Sequence, residues 1–327
     1  MAPVSGVLDL HGQPAVTRSV MTEISVVVPT KDRLPYLRKA IPMFLRQEEV
    51  KEVVVVIDGS LDGTIEYVEA LSRDDERVRY VDNGRNMGLP YSRNKGIELA
   101  ECEYVFTGED DLELSDNFFT ILLAHMRQED ADIISGRNIF RIESETIAEA
   151  IDRTNQIKGS SVDLRAITVQ PGMNAAGDQV QTLLPAPMLA RADLFRKVRF
   201  DDAYRGNAWR EESDFQLSAK ERGYKMVFCP HAVSFNLMIE NDRGGAHSWI
   251  GAKRVWWIVR NNWRFVRKHR GLISQEFESG NQYVYLARFA TRRICTELIL
   301  PPLIDTKQRM LAVGRGSADS RLPELPA

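Results

Sequence analysis

Three adjacent carboxylates follow a buried, strand-like segment in the sequence EYVFTGEDD, which covers residues 103–111. Glu109, Asp110 and Asp111 repel one another when they are ionised, and a bound cation removes that repulsion. Mg²⁺ and Mn²⁺ prefer oxygen ligands and commonly bind through one or two carboxylates together with substrate phosphates. The sequence therefore predicts a divalent-metal site here, and the alternative is a solvated acidic turn that leads into the next helix.

Polar residues also follow each of the three preceding strand-like segments. They are Thr30, Lys31, Asp32 and Arg33 after the first, Asp58 and Asp62 after the second, and Asn83, Arg85 and Asn86 after the third. Because ligands bind at the carboxyl ends of parallel strands, these loops converge on one candidate site. For Asp58, which precedes Gly59, the alternative is an ordinary turn.

The elements that must position these residues alternate between strand and helix. Strand patterns cover residues 24–30, 52–58, 77–83 and 103–111, and helical patterns cover 34–47, 64–73 and 89–100. We expect Pro42 to kink or split the first helix. Further helices are predicted over 116–126, with Ser115 as N-cap, and over 210–224, and further strands over 131–140 and 225–235. The alternation predicts an α/β fold with a doubly wound, mostly parallel sheet and right-handed crossovers.

The composition excludes several classes of protein. Among 327 residues, 43% are hydrophobic and 27% are charged, which is typical of a globular domain. The formal net charge of −3 gives no general attraction to nucleic acid. Cys102, Cys229 and Cys295 lack CxxC spacing, which indicates neither a zinc site nor a disulfide framework. No apolar run approaches the roughly 18 residues of a membrane span, and we expect a reducing, cytosolic setting.

Four segments carry a resemblance to a known family: ISVVVPTKDR, EVVVVIDGSLDGT, NMGLPYSRNKGIELA and EYVFTGEDD. In order and spacing they are similar to family 2 glycosyltransferases, which have the GT-A fold and use nucleotide sugars. The similarity covers residues 23–112, and more weakly 183–262. It implies a metal-dependent, inverting transfer of a sugar from a nucleoside-diphosphate sugar to an acceptor hydroxyl.

The resemblance also implies roles for residues that bind the donor. Asp58 stands where the family contacts the nucleotide base. Thr30 and Asp32 lie in the first loop, which lines the same pocket. Arg93 corresponds to an arginine that faces the nucleotide, and the alternative for it is an exposed charge on a helix.

The sequence EDD stands where the family has its DxD motif. By the resemblance, Asp111 holds Mn²⁺ or Mg²⁺ and Asp110 faces the ribose or a phosphate. Glu109, one methylene longer than the usual aspartate, is a further candidate ligand. His247, in RGGAHSW, is a candidate to complete the metal site, whereas His231 on a predicted strand is expected to be structural.

The segment WREESDF, residues 209–215, resembles the second acidic motif of the family, which supplies the catalytic base. Glu212 takes the place of the aspartate that acts as base, and Glu211 is its rival. The alternative is a carboxylate-rich helix N-terminus, which stabilises the helix dipole. If the helix begins near Ser213, Asp214 is drawn toward the helix amides and serves the structure.

Between Arg243 and Arg270 there are eight lysines or arginines and no acidic residue. Within the helical stretch 249–268, Trp256, Val259, Trp263 and Val266 recur at helical spacing beside Lys253, Arg260, Arg264 and Arg267. The helix either packs on the core with a solvated basic face or contacts anionic lipid peripherally. Nucleic acid is not an expected partner, because no motif that reads it accompanies the basic cluster.

We expect a flexible arm over 1–22, a GT-A domain over 23–240, a basic aromatic helical extension over 241–300 and a tail over 301–327. The GT-A domain divides into a nucleotide-binding half (23–112) and an acceptor half (113–240). The sequence lacks the QxxRW signature of processive members of the family. We therefore expect the transfer of one sugar, to a saccharide, a lipid-linked saccharide or a natural product. The alternatives are a nucleotidyltransferase, which would need a glycine-rich loop near the first strand, and a non-catalytic nucleotide-sugar binder.

Overall fold

The computed structural model describes residues 22–142, 145–156, 162–238, 244–245 and 249–299. Its first half consists of β1 (Ile24–Thr30), α1 (Leu34–Leu45), β2 (Val50–Ile57), α2 (Thr64–Asp74), β3 (Val78–Asp82), α3 (Leu89–Leu99) and β4 (Tyr104–Thr107). The four strands are parallel and lie in the order β3-β2-β1-β4. The predicted alternation and parallel pairing are therefore confirmed.

The second half continues the same sheet. It consists of β5 (Leu112–Leu114), α4 (Phe118–Gln128), β6 (Ile133–Ile142), α5 (Ile147–Asn155), β7 (Val162–Asp163), β8 (Thr168–Val169), β9 (Gln179–Val180), β10 (Leu189–Arg191), α6 (Ala192–Val198), α7 (Glu211–Lys220) and β11 (Met226–Met238). The strand order runs β4-β10-β6-β11-β5, with β9 also paired to β11. β10 is antiparallel to both neighbours, whereas β11 is parallel to β6. The sheet is thus mixed but mostly parallel, as predicted.

Helices α8 (Gly251–Lys268), α9 (Arg270–Glu276) and α10 (Gln282–Ile294) follow, and a π-helical turn spans Cys295–Ile299. Their buried side chains form one apolar cluster with residues of the sheet domain: Val162, Ile167, Leu183, Tyr204, Leu217, Phe265, Val266, Ile273, Phe277 and Tyr285. None of the helices in the described ranges combines the length and the apolar character that crossing a bilayer requires.

Alternating side chains of the central strands divide the core into two layers. Val26, Val53 and Val55 point into the layer covered by α1, α2 and α4, whereas Val27 and Val54 point into the layer covered by α3, α6 and α7. Burial on both faces explains why these strands are continuously apolar in sequence. Only the loops at the strand ends remain for polar side chains, and these loops carry the candidate site.

Three local details differ from the expectation. Helix α1 continues through Pro42 to Leu45, so the expected split does not occur, and the carbonyl of Pro42 accepts the amide of Arg46 (3.2 Å). The residue before α4 is Asn117, in a left-handed conformation without a side-chain cap, whereas the amide of Ser115 donates to Val233. Helix α7 begins at Glu211, two residues before Ser213.

Helix α3 approaches the sheet at Gly96. A Cβ atom there would lie 2.3 Å from Cγ1 of Val27 and 3.0 Å from Cγ2 of Val56. We expect Gly96→Ala to lower the free energy of unfolding by about 1–3 kcal/mol, because the added methyl group overpacks this contact. Chemical denaturation measures the change.

The matched control is Gly271→Ala in α9, where a Cβ atom meets nothing within 4 Å. There the greater helix propensity of alanine should raise the free energy of unfolding by about 0.5–1 kcal/mol. Equal effects of the two substitutions would contradict the tight packing of α3.

Candidate active site

A cleft of about 470 Å³ opens at the carboxyl edge of the sheet. Seven of the ten predicted site residues line it: Thr30, Asp58, Arg93, Glu109, Asp110, Asp111 and Glu212. The remaining predicted residues are Asp32 and Glu211, which are not among the lining residues, and His247, which lies outside the described residues. Loops from both halves of the sheet therefore meet at one site, as the pattern of polar loops predicted.

Arg93 of α3 is the buried centre of this site, with only 1% of its surface exposed. Its Nη2 atom lies 2.9 Å from Oε1 of Glu212 and 3.5 Å from Oε1 of Glu109, and its Nε atom lies 2.9 Å from Oε1 of Glu211. The pKa of Arg93 is raised because the attraction of the three glutamates outweighs the effect of burial. The alternative of an exposed helix charge is wrong.

Glu211 and Glu212 are adjacent in sequence but occupy different environments. Glu211 is fully buried, and neither of its carboxylate oxygens has a well-aligned hydrogen-bond donor among the described residues. Burial raises its pKa well above the ordinary range, and the charge of Arg93 opposes that rise. The side chain of Glu212 is 24% exposed and lines the cleft. Only Glu212 is therefore accessible to a molecule in the cleft.

The acidic motif after β4 is bound by groups from distant parts of the chain. Arg33 spans two of its members, with Nη1 2.5 Å from Asp110 and Nη2 2.9 Å from Asp111. The hydroxyl of Thr30 donates to the other oxygen of Asp110 (2.8 Å). The sequence places Arg33 in the polar loop after β1 without indicating a role in the site. Its position in that loop is the signal that could have identified it as a site residue.

Asn236 of β11 is a site residue that the sequence did not reveal. Its Nδ2 atom donates to Oε2 of Glu109 (3.1 Å) and to Oδ1 of Asp111 (3.0 Å). The amide thus holds two like-charged groups in place. Asn236 follows the motif by more than a hundred residues and sits within a strand, and no local pattern marks it.

Burial raises the pKa of Glu109 to about 7, and the charge of Asp111 adds to this rise. The charge of Arg93 and the hydrogen bond from Asn236 only partly oppose it. A raised pKa means that the folded state disfavours the ionised carboxylate. The cluster of Glu109, Asp110 and Asp111 therefore holds more negative charge than Arg33 and Arg93 neutralise.

These residues fit a divalent cation. The carboxylates of Glu109, Asp110 and Asp111 line the cleft, and oxygen is the donor that Mg²⁺ and Mn²⁺ prefer. The raised pKa of Glu109 indicates that the cluster would gain from added positive charge. Arg33 currently supplies part of that charge, because it contacts both aspartates.

Asp58 and Asp32 organise the loops around the cleft. Oδ1 of Asp58 accepts the amide of Met87 (2.7 Å) and Nδ2 of Asn83 (2.9 Å), and Oδ2 accepts the amide of Gly88 (2.9 Å). Oδ1 of Asp32 accepts the amide of Leu61 (2.7 Å). In the described structure these acids tie neighbouring strand-end loops together.

Gly59 permits the loops after β2 and β3 to approach each other. Its φ angle is +70°, and a Cβ atom would lie 2.7 Å from the backbone carbon of Arg85. Glycine has no Cβ and populates this left-handed region readily. Asp58 and Gly59 therefore form a turn that also lets backbone amides of the loop after β3 donate to the carboxylate of Asp58.

Asp214, one turn into the same acidic motif, is structural. Its carboxylate accepts from the hydroxyl of Tyr204 (2.8 Å) and contacts Nζ of Lys268 (2.7 Å) and Nε2 of His269 (2.9 Å). The prediction that Asp214 serves the structure is confirmed, but its partners are these side chains rather than amides of its own helix.

Comparison with known proteins identifies the family. The model of the family "Glycosyl transferase family 2" matches residues 25–196, just over half of the chain. The chain belongs to glycosyltransferase family 2. The matched range includes helix α3 and the acidic motif of Glu109, Asp110 and Asp111. Glu212 and Asn236 lie beyond it. The alternative of a nucleotidyltransferase is not retained.

Individual relatives agree with this family. Glycosyltransferase GlyG of Streptococcus pneumoniae is 28% identical over 229 residues, which are 68% of this chain and 72% of GlyG. The GalNAc(5)-diNAcBac-PP-undecaprenol beta-1,3-glucosyltransferase of Campylobacter jejuni is 33% identical over 105 residues, which are 32% of this chain and only 34% of that protein.

A solved structure with a similar fold is the mannosyltransferase PcManGT from Pyrobaculum calidifontis, in complex with GDP-Man and Mn²⁺. It superposes with a TM-score of 0.56 over 90% of this chain and 80% of that chain, at 15% identity. The fold is therefore GT-A, as the resemblance in sequence implied.

The raised pKa of Glu109 predicts a stability effect that depends on pH. Above pH 7 the folded protein holds Glu109 ionised at a cost of up to about 3 kcal/mol, because the pKa of Glu109 is raised from 4.5 to about 7. Glu109→Gln removes that charge and should raise the free energy of unfolding at pH 8. At pH 5, where the folded parent is protonated, the gain should shrink below about 1 kcal/mol.

Urea denaturation of both proteins at the two pH values measures this difference. The parent itself should lose stability as the pH rises from about 5 to 7, because the unfolded state releases the proton of Glu109 first. A Gln variant that is less stable than the parent at pH 8 would contradict the assignment of unrelieved negative charge to this cluster.

Proposed function

We propose that this protein transfers one sugar, with inversion, from a nucleoside-diphosphate sugar to the hydroxyl of an acceptor, and that Glu212 is the general base. The observation that carries the proposal is that two acidic motifs, far apart in sequence, line one cleft and share Arg93. Asp110 and Asp111 come from the end of β4, and Glu212 comes from the first turn of α7. A donor held at the first motif would have its reactive carbon close to the second.

The nucleotide is proposed to bind over the loops after β1 and β2. Thr30 and Asp58 line this side of the cleft, and Asp32 holds the first loop against the second. Arg93 also faces the cleft, and its Nη1 atom has no hydrogen-bond partner among the described residues. A buried guanidinium with a donor to spare is suited to an anionic or carbonyl oxygen of the nucleotide sugar.

Asp111 and Asp110, with Glu109 as a further candidate, would hold Mn²⁺ or Mg²⁺. When bound there, the cation would act as a Lewis acid that stabilises the negative charge on the departing nucleoside diphosphate. Arg33 must release at least one of the two aspartates for this, because it occupies an oxygen of each. The bound cation in the mannosyltransferase with a similar fold supports this proposal.

Glu212 is preferred over Glu211 as the base because of access and charge. Glu211 is fully buried, does not line the cleft and disfavours ionisation, as its raised pKa shows. Glu212 lines the cleft, and its Oε1 atom accepts from Nη2 of Arg93, which fixes its orientation. A base must come within hydrogen-bond reach of the acceptor hydroxyl, and only Glu212 meets that condition.

The exposed face of α8 favours a lipid-linked acceptor. Lys253, Trp256, Arg260, Trp263 and Arg267 form one exposed stripe, which we call the Trp/Arg stripe. Trp256 is 56% and Trp263 47% exposed. Of the basic members, none has an ion-pair partner among the described residues, whereas Arg254, Arg264 and Lys268 on the packed side are all paired.

Exposed tryptophans beside unpaired cations are typical of helices that lie in the interface of an anionic membrane. The opposite face of α8 packs on the core through Val255, Ile258 and Phe265, which leaves the Trp/Arg stripe exposed. The undecaprenol-linked acceptor in the name of the Campylobacter relative agrees with such a setting. We propose a peripheral membrane contact and a lipid-linked saccharide as acceptor.

Glu212→Gln tests the base. It keeps the shape of the side chain and removes its basicity, and should reduce sugar transfer by about 10²- to 10⁴-fold. The affinities for the nucleotide sugar and for Mn²⁺ should stay near those of the parent. Transfer is measured with UDP-, GDP- and dTDP-sugars in the presence of Mn²⁺ and after its removal by a chelator.

Glu211→Gln is the matched control. Because glutamine mimics a protonated glutamate, transfer should stay within a few-fold of the parent. If Glu211→Gln is inactive while Glu212→Gln transfers sugar at the parental rate, the base is Glu211. If no donor supports transfer or hydrolysis in the parent, the proposed activity itself is wrong.

The Trp/Arg stripe predicts binding to anionic vesicles. In sedimentation with phosphatidylglycerol vesicles, replacement of both Trp256 and Trp263 by serine should weaken binding by at least about tenfold, since two interfacial aromatic anchors are lost. Raised salt should weaken binding of the parent, because the cations act through screened attraction. The control is Leu61→Ser, at a 93% exposed position outside the stripe. Equal binding of the parent to neutral and anionic vesicles would contradict the role of the cations.

A further inference from the structure

Three side chains of metal-binding type meet at a place outside the cleft. They are His125 of α4, Asp178 in the segment before β9, and Cys229 of β11. Their potential ligand atoms all lie within 4.8 Å of one another, and Nδ1 of His125 lies 2.6 Å from Oδ2 of Asp178. None of the three lines the cleft. We call them the His-Asp-Cys cluster.

The pairing of two strands brings these residues together. Strands β9 and β11 are antiparallel, with Val180 opposite Val227 and Gln179 opposite Phe228. The same register continued by one residue sets Asp178 opposite Cys229. Helix α4 packs against β11 and supplies His125 from above the strand. The cluster therefore depends on backbone register as well as on side-chain orientation.

One atom of the cluster is left without a satisfactory partner. The side chain of Asp178 is only 7% exposed, yet its Oδ1 atom has no hydrogen-bond partner among the described residues. A simple ion pair with His125 accounts for Oδ2 alone. A buried carboxylate oxygen without a hydrogen bond is costly, and a cation held between it, the thiol and the imidazole would stabilise it.

A second imidazole lies next to the cluster. The register of β11 against β6 shifts between Cys229 and Val233, and His231 lies in this irregular stretch. Its ring stacks on that of His125, with the ring centroids 5.1 Å apart. Irregularities of this kind turn a side chain away from the regular alternation of a strand. His231, expected to be structural, thus lies beside the cluster but is not one of the three residues whose ligand atoms converge.

We propose that His125, Asp178 and Cys229 bind a zinc ion, with a water molecule as the fourth ligand. Sulfur, nitrogen and oxygen donors in a set of four are the ligands that Zn²⁺ takes in proteins, and a thiolate separates this site from the all-oxygen chemistry of the cleft. The spacing of the cysteines in the sequence did not indicate this zinc site, because the site uses one cysteine with partners from two other segments of the chain.

The bound ion would hold in place the chain segment that lines the acceptor side of the cleft. Asp178 belongs to the same segment as Thr168, Val169 and Pro171, which line the cleft. That segment has little regular structure apart from the short strands β7, β8 and β9. A metal that joins Asp178 to α4 and β11 would anchor it to the sheet. The proposal does not depend on the identity of the donor or of the acceptor.

The test uses Co²⁺ as a spectroscopic substitute for Zn²⁺. The full chain, stripped with a chelator, is titrated with Co²⁺ and then with Zn²⁺. We expect one equivalent of Co²⁺ to give the near-ultraviolet charge-transfer absorption of a cobalt–thiolate bond, and Zn²⁺ to abolish it. Metal bound to the carboxylates of the cleft gives no such absorption, because no cysteine lines the cleft.

Variants assign the ligands. Cys229→Ser should lose the absorption, and the matched control Cys102→Ser should retain it. His125→Gln and Asp178→Asn should each weaken Co²⁺ binding by at least about tenfold while circular dichroism remains unchanged. If Cys229→Ser does not fold, these two variants test whether the cluster binds the metal. Absence of the absorption in the parent, its retention in Cys229→Ser, or unchanged affinity in both other variants would overturn the proposal.

Discussion

The buried guanidinium of Arg93 is the constraint on which the site depends. An isolated charge in this position would be prohibitively costly, so carboxylates must surround it, and they come from β4 and α7. This requirement joins the loop after β4 to helix α7, which carries the second acidic motif. The arrangement also places the two glutamates of α7 in different environments, because Glu211 is buried and Glu212 lines the cleft.

A second balance of charge governs the rim of the cleft. Glu109, Asp110 and Asp111 are held close together by Asn236, Thr30 and Arg33, and burial, with the charge of Asp111, raises the pKa of Glu109. The cluster is thus pre-formed but electrostatically incomplete. Sites that bind a cation and an anionic substrate together commonly have this property, since the ligands themselves complete the charge.

The sequence predicted those features that local patterns encode. The strands and helices of residues 24–111, the convergence of their loops and the position of the acidic motifs follow from periodicity and from the family pattern. Asn236 and the pairing of Arg33 with the acids depend on strand order, which no local pattern contains. Helix α7 was expected over 210–224 and spans Glu211–Lys220, so Glu211 and Glu212 lie in its first turn, where both contact Arg93. The domain limits and the role of His247 stay predictions.

The cluster around Asp214 has a consequence for the architecture of the enzyme. Asp214 is 1% exposed and belongs to helix α7, yet Lys268 and His269, at the junction of α8 and α9, contact its carboxylate. A truncation that removes the C-terminal helices would leave Tyr204 as the remaining described side-chain partner of this acid, two residues from Glu212. The helices that bear the Trp/Arg stripe are therefore not a detachable anchor, and a minimal catalytic fragment must include them.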